Sequence, residues 1–254
     1  MVQFYDSISE ELKAWALKQS VFFVASAPLA GRHINVSPKG LPASSLSILS
    51  PNQVAYVDAN GSGCETISHV YENGRVTIMF CSFEASPRIM RFFCKGRVVE
   101  WDQPEFDILL TKMGSKRVER ARAIILLHVF KAQTSCGYGV PRLAKRKAGD
   151  GDEDEWVAGF EDRETLGHWA SKMAEKNELH AYRKKNNSDS LDGLTGLRAA
   201  RRDNGEILWL TDLITWFRRI LLQREAIAFG FSLALFLFLV VYYAGKSIPK
   251  IMAA

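Results

Sequence analysis

The sequence predicts a mainly β domain with a few helices, its strands closing as a barrel, followed by a C-terminal helix able to cross a membrane. Three observations carry this. Seven short β-branched or aromatic runs lie between residues 22 and 133, separated by Pro, Gly and Asn turns. Helices do not alternate with these runs, which argues for a barrel and against a doubly wound sheet. Near the C-terminus, the 19-residue run Ala226 to Ala244 carries no charge. At about 1.5 Å per residue it nearly spans a hydrocarbon core of roughly 30 Å.

In chain order, MVQFYDSISEELKAWALKQS reads as an amphipathic helix with Ser9 and Glu10 near its beginning. No apolar run follows a basic start, so no secretory signal is expected. Strands are expected at Phe22 to Ser26, His33 to Ser37, Ser44 to Leu49, Val54 to Asp58, Arg75 to Phe80 and Arg91 to Trp101. Ala123 to Gln133 fits a strand or a buried helix by pattern, and its Ile and Val content favours a strand. Between the fourth and fifth strands, Ser62-Gly63-Cys64-Glu65 matches a capping box. It predicts a short helix to about Tyr71, stopped in the left-handed conformation at Asn73-Gly74.

After Pro141 the composition changes. KRKAGDGDEDEWVAGFEDR places a basic run before an acidic one and reads as a solvated loop. HWASKMAEKNELHAYRKKN reads as helix and NNSDSLDGLTGLRAARRDNG as turns. The expected organisation is a barrel domain over 1–143, an extension over 144–205, an amphipathic segment over 206–225, a transmembrane helix over 226–244 and a tail over 245–254. The amphipathic segment could lie in the headgroup layer or pack on the domain. Arg218, Arg219 and Arg224 flank the apolar run on one side, Lys246 and Lys250 on the other, with Tyr242 and Tyr243 at an interfacial level. The expectation is a single-pass C-terminal anchor in the endoplasmic reticulum or mitochondrial outer membrane, with the main domain cytosolic.

Composition narrows the function classes. With 47% hydrophobic and 24% charged residues in 254, the chain builds a core and is not disordered throughout. The net charge of +5 is spread along the chain, so no nucleic-acid partner is expected; an anionic membrane surface or anionic cofactor suits it better. The four cysteines form no C-x-x-C pair, which fits a reduced compartment, and the five histidines form no H-x-x-x-H pair of the kind a metal site uses.

The candidate chemistry centres on DANGSGCETISHVYENGRVTIMF, Asp58 to Phe80. Free amides at the helix start, reached past Gly61 and Gly63, can receive a phosphate, and Thr66 can add a hydroxyl. Glu65 opposes that reading by its charge, and the G-x-x-x-x-G-K-[ST] pattern is absent. Cys64 at a helix start could be a nucleophile, but His69 lies five residues on, toward another side of the helix. Upstream, NVSPKGLP offers Ser37 and Lys39, either an exposed hairpin lysine or a cation for a phosphate.

Taken in order, NVSPKG, VAYVD, GSGCETISHVYENGRVTIMF, SPRIMRFFCKGRVVE, SCGYGVP and NSDSLDGL resemble the pyridoxamine 5′-phosphate oxidase-related family, from about Phe4 to Leu197. The resemblance implies an FMN-binding split barrel, a six-stranded antiparallel Greek-key barrel, in a homodimer with FMN between subunits. It assigns FMN contacts to Ser37, Lys39, Ser62, Glu65 and Thr66, with Arg91 near the flavin ring. Cys64-Glu65-Thr66 stands where the oxidase proper has a Ser-Arg-Lys run. No Arg here precedes a His by two residues, whereas the oxidase orients the vitamin B6 phosphate with such a pair. The implied activity is therefore flavin-dependent oxidation or reduction of another small molecule, with membrane lipid as a further partner and no catalytic side chain assigned. The alternative is a non-catalytic barrel that binds or scaffolds at a membrane.

Overall fold

The computed structural model describes residues 2–114, 121–147 and 156–251. They fall into two compact units, Met1–Gly167 and His168–Ala254. The first contains β1 (Gln3–Tyr5), α1 (Glu10–Lys18), β2 (Val21–Ser26), β3 (Asn35–Gly40), α2 (Pro42–Ser45), β4 (Leu46–Ser50) and β5 (Gln53–Ala59). It continues through α3 (Glu65–Glu72), β6 (Arg75–Cys81), β7 (Arg88–Glu100), α4 (Glu105–Lys112), β8 (Ala121–Cys136), β9 (Arg142–Lys147) and β10 (Trp156–Glu161).

Eight strands form one curled antiparallel sheet in the order β3-β2-β6-β7-β8-β5-β4, with β1 also on β8. The long β8 organises it. One edge pairs with β7 from Ala123 to Cys136; the other carries β5 as far as His128 and then β1 from Ala132 to Thr134. Phe22, Val24, Tyr56, Ile78, Phe80, Phe92 and Ile125 fill the concave face, closed by Leu12 and Ala16 of α1. On the opposite face, Ala55, Val57, Val99 and Ile124 pack under Phe106 and Leu109 of α4. Burial on both faces explains why β5 and the first half of β8 read as nearly continuous apolar runs.

The split-barrel fold class therefore holds, and all seven expected strands are present. The eighth is β1, where the sequence suggested helix: Phe4 and Tyr5 suit a pleated edge and pair with Gln133 and Ala132. The helix starts later, at Glu10, with Ser9 Oγ accepting the Leu12 amide at 3.2 Å. A second departure is the hairpin β9–β10, paired from Arg142↔Glu161 to Lys147↔Trp156 inside the stretch expected to be loop. Arg163 clasps it to the barrel. The residue is 7% exposed, and its guanidinium donates to the carbonyls of Val140 (2.6 Å), Ala85 (3.0 Å), Ser82 (3.3 Å) and Glu84. The acidic cluster at 152–155 lies outside the described residues.

The second unit takes in most of α5 (Thr165–Glu175), then α6 (Leu179–Asn186), α7 (Arg198–Asp203), α8 (Leu208–Leu221) and α9 (Arg224–Ile251). The single helix expected over 168–186 is broken at Asn177, whose φ of +54° is a left-handed conformation that Asn tolerates. The turn segment closes through the Gly196 and Leu197 amides on Ser188 and Asn187 carbonyls, both at 2.7 Å. A Cβ at Gly196 would strike those carbonyls, so only glycine allows the approach. Helix α8 buries no residue, and Trp209, Trp216, Phe217 and Leu221 are exposed along it. Within α9, Arg224–Gly245 has a mean hydropathy of 2.3 and is long and apolar enough to cross a membrane, with its side chains unburied.

Candidate functional site

The edge strand β3 and the turn between β5 and α3 meet in a cleft of about 520 Å³. On β3, Asn35, Ser37 and Lys39 alternate toward the inner side and are partly covered, whereas Val36, Pro38 and Gly40 face solvent. Pro38 donates no backbone hydrogen bond, which suits an edge. Asn35 Nδ2 donates to Thr66 Oγ1 at 2.9 Å and ties β3 to the first turn of α3. Ser37 Oγ lies 3.4 Å from Asn35 Oδ1.

At the floor of the cleft, Asp58 is 5% exposed at its side chain and bridges two cations. Lys39 Nζ is 3.1 Å from Oδ1 and Arg122 Nε is 2.9 Å from Oδ2. A buried carboxylate keeps its charge only when so paired, and two partners leave the group with a net charge of +1. The pair also closes the half-barrel through side chains, because Lys39 lies on β3 at one end of the sheet and Asp58 on β5 near the other. Lys39 Nζ further sits 5.4 Å from the ring centroid of Tyr56. The Tyr56 hydroxyl is buried and has no hydrogen-bond partner among the described residues. Burial pushes its pKa well above 10.0, with Asp58 adding in the same direction.

The start of α3 differs from its expected form. The residue preceding the helix is Cys64, and it makes no side-chain cap, so the Ser62–Glu65 capping box does not form. The Gly61–Gly63 turn carries Ser62 two positions too early to reach the first helical amides. The Glu65 carboxylate instead folds back over Gly63, where a Cβ would overlap it. At the other end the expected stop is present, with Gly74 at φ +68° and its amide on the His69 carbonyl at 3.1 Å. His69 Nδ1 pairs with Ser26 Oγ at 2.9 Å, and Cys64 Sγ accepts from Ser68 Oγ at 3.5 Å, so no Cys–His nucleophile pair forms.

Of the residues named from sequence, Ser37, Lys39, Ser62 and Glu65 line the one cleft, and Thr66 is buried beside it through Asn35. Arg91 does not line it. It lies on β7, three strands from β3 in the sheet order, with Nη1 3.4 Å from Gln133 Oε1. Asn35, Asp58 and Arg122 were missed. A signal existed for the last two: each is a charge at the border of an apolar strand, and Asp58 pairs in register with Ala123, next to Arg122.

A curled antiparallel half-barrel with a polar cleft at its edge strand defines a split-barrel protein. The family model described as pyridoxamine 5′-phosphate oxidase matches residues 8–137. The chain is 49% identical over 242 residues to the pyridoxamine 5′-phosphate oxidase family protein ustO of Aspergillus flavus, covering 95% of this chain and 96% of that one. It belongs to the pyridoxamine 5′-phosphate oxidase family. Among solved structures, HupZ of Group A Streptococcus is 20% identical at a TM-score of 0.39, covering 48% of this chain and 89% of that one. A pyridoxamine 5′-phosphate oxidase-related, FMN-binding protein of Nostoc punctiforme is 11% identical at a TM-score of 0.39, covering 60% and 96%.

Proposed function

We propose that this chain is an FMN-binding flavoprotein that oxidises or reduces a small molecule, as a homodimer held to a membrane by α9. The observation that carries the reading is the cleft itself. Ser37 and Ser62 hydroxyls, the Lys39 and Arg122 cations and the start of α3, whose amides the Cys64 side chain leaves uncapped, converge there, a donor set suited to a phosphate. The residues fit the phosphate end of FMN with one exception. Glu65 cancels the +1 of the Lys39–Asp58–Arg122 group while it lies over Gly63, and as an exposed side chain it can swing out.

Bound there, FMN would supply a ring that carries hydride or electrons between substrate and acceptor. The chain's own part is to hold and orient. Asp58 fixes Lys39 and Arg122 in place, these two would offset part of the phosphate charge, and the serines would donate to its oxygens. The apolar side chains left open on β3 and its flank, Ile34 and Val36, support a covered face such as a subunit interface. The hydropathy and exposure of α9 support membrane attachment.

Glu65 also favours a second reading, a barrel without cofactor that serves as a membrane-held binding or scaffold protein. The test that separates them is the visible spectrum of the full chain in detergent. A flavin spectrum, or saturable quenching of added FMN fluorescence, is the expected result. A colourless protein that leaves added FMN unquenched would overturn the flavoprotein reading and leave the scaffold.

A further inference from the structure

The second unit holds all of the chain's excess charge. Residues 168–254 contain thirteen Lys and Arg against eight Asp and Glu, whereas residues 1–167 contain twenty of each. Part of that excess surrounds a cavity of about 500 Å³ formed by the turn before α7, by α7 and by α8. Arg201 anchors it. Its side chain is 2% exposed and is held by Glu206 at 3.0 Å and Asp212 at 2.8 Å, with Thr211 as a further acceptor. Two acids around one buried cation leave a surplus of −1.

Arg198 and Arg219 line the same cavity and make no ion pair among the described residues. Together the five side chains sum to +1, which matches a phosphodiester monoanion better than a phosphate monoester dianion. Trp216 lies at the cavity wall and is itself exposed. It is followed on α8 by the exposed Phe217 and Leu221, and the membrane-competent helix starts three residues after α8 ends. A ligand with an anionic head and apolar chains suits both parts of this surface: guanidinium groups for the head, aromatic and aliphatic side chains for the chains.

We propose that the cavity between α7 and α8 is a headgroup site for an anionic phospholipid, in which Arg198 and Arg219 bind the phosphodiester. The anion chemistry rests on the cavity alone; the lipid as its source rests on the membrane attachment proposed above.

The test uses the full chain in neutral dodecyl maltoside micelles, titrated with dioctanoyl phosphatidylglycerol, dioctanoyl phosphatidylcholine or inorganic phosphate. The expected result is a saturable rise in thermal midpoint with phosphatidylglycerol and little change with the other two. Arg198→Gln combined with Arg219→Gln should weaken the response by about tenfold or more. Arg183→Gln combined with Lys185→Gln on α6, outside the cavity, should leave it unchanged. If the double cavity variant fails to fold, Arg219→Lys keeps the charge, loses the forked contact and should still weaken binding. Cavity variants that titrate like wild type, or a response that never saturates, would overturn the proposal. Inorganic phosphate matching phosphatidylglycerol would overturn the lipid assignment. Failure of the attachment itself reads out separately, as release of the chain from membranes by alkaline carbonate while the micelle titration still responds.

Discussion

Asp58 carries its charge at 5% exposure because Lys39 and Arg122 bracket it, and this one carboxylate decides how much positive charge the cleft can offer. Glu65 then decides whether any is left over. Replacing Glu65 with Gln keeps the shape of the α3 start and removes the opposing charge. FMN titrated into Glu65→Gln should bind about tenfold tighter than into wild type, as read by flavin fluorescence. An unchanged affinity would mean that Glu65 is already swung away in the bound state. Elsewhere in the core, burial raises the Cys94 thiol from 9.0 to about 12. A raised pKa means that stability is complete below pH 9, where the unfolded thiol is still protonated, and is lost as pH climbs toward 12. Buried Tyr56 adds a loss of the same sign above pH 10. Urea midpoints measured across this range should fall, and Cys94→Ala should make the fall shallower.

At the scale of elements, the hairpin β9–β10 depends on a clasp rather than on a core. Phe160 touches the Phe83 ring at a centroid distance of 5.3 Å, but four carbonyls converge on Arg163. Arg163→Ala would leave them without a donor and should cost about 3 kcal/mol in a denaturant titration, with faster hydrogen exchange at Arg142 to Ala144. This hairpin was not legible in the sequence. RLAKRK has one large apolar side chain, and a strand that rests on the surface needs no alternating pattern. Six of the seven barrel strands were legible because each must bury at least one face, and β5 and β8 bury two, whereas the edge strand β3 buries no residue. The cleft was half legible. Ser37, Lys39, Ser62 and Glu65 announce themselves through local turn and helix-start chemistry, whereas Asp58 and Arg122 meet across 64 positions of sequence and depend on strand register. Arg91, named from resemblance, lies on a strand that the sheet order sets apart from β3.

For the whole molecule, the proposed membrane attachment rests on α9. The full chain should stay with membranes through alkaline carbonate extraction, and a chain lacking 224–254 should appear in the supernatant. The division of charge has a further result for kinetics. The unit with the candidate cleft is electrically balanced overall, so it casts no long-range field that would gather charged solutes from beyond a Debye length of about 10 Å. By the net charge of this unit alone, a small charged reactant would gain no steering toward the cleft. The second unit, with its net cationic field, would lose its grip on an anionic surface as salt rises. Salt would thus tune residence at the surface, whereas the net charge of the first unit gives it no comparable handle on the cleft.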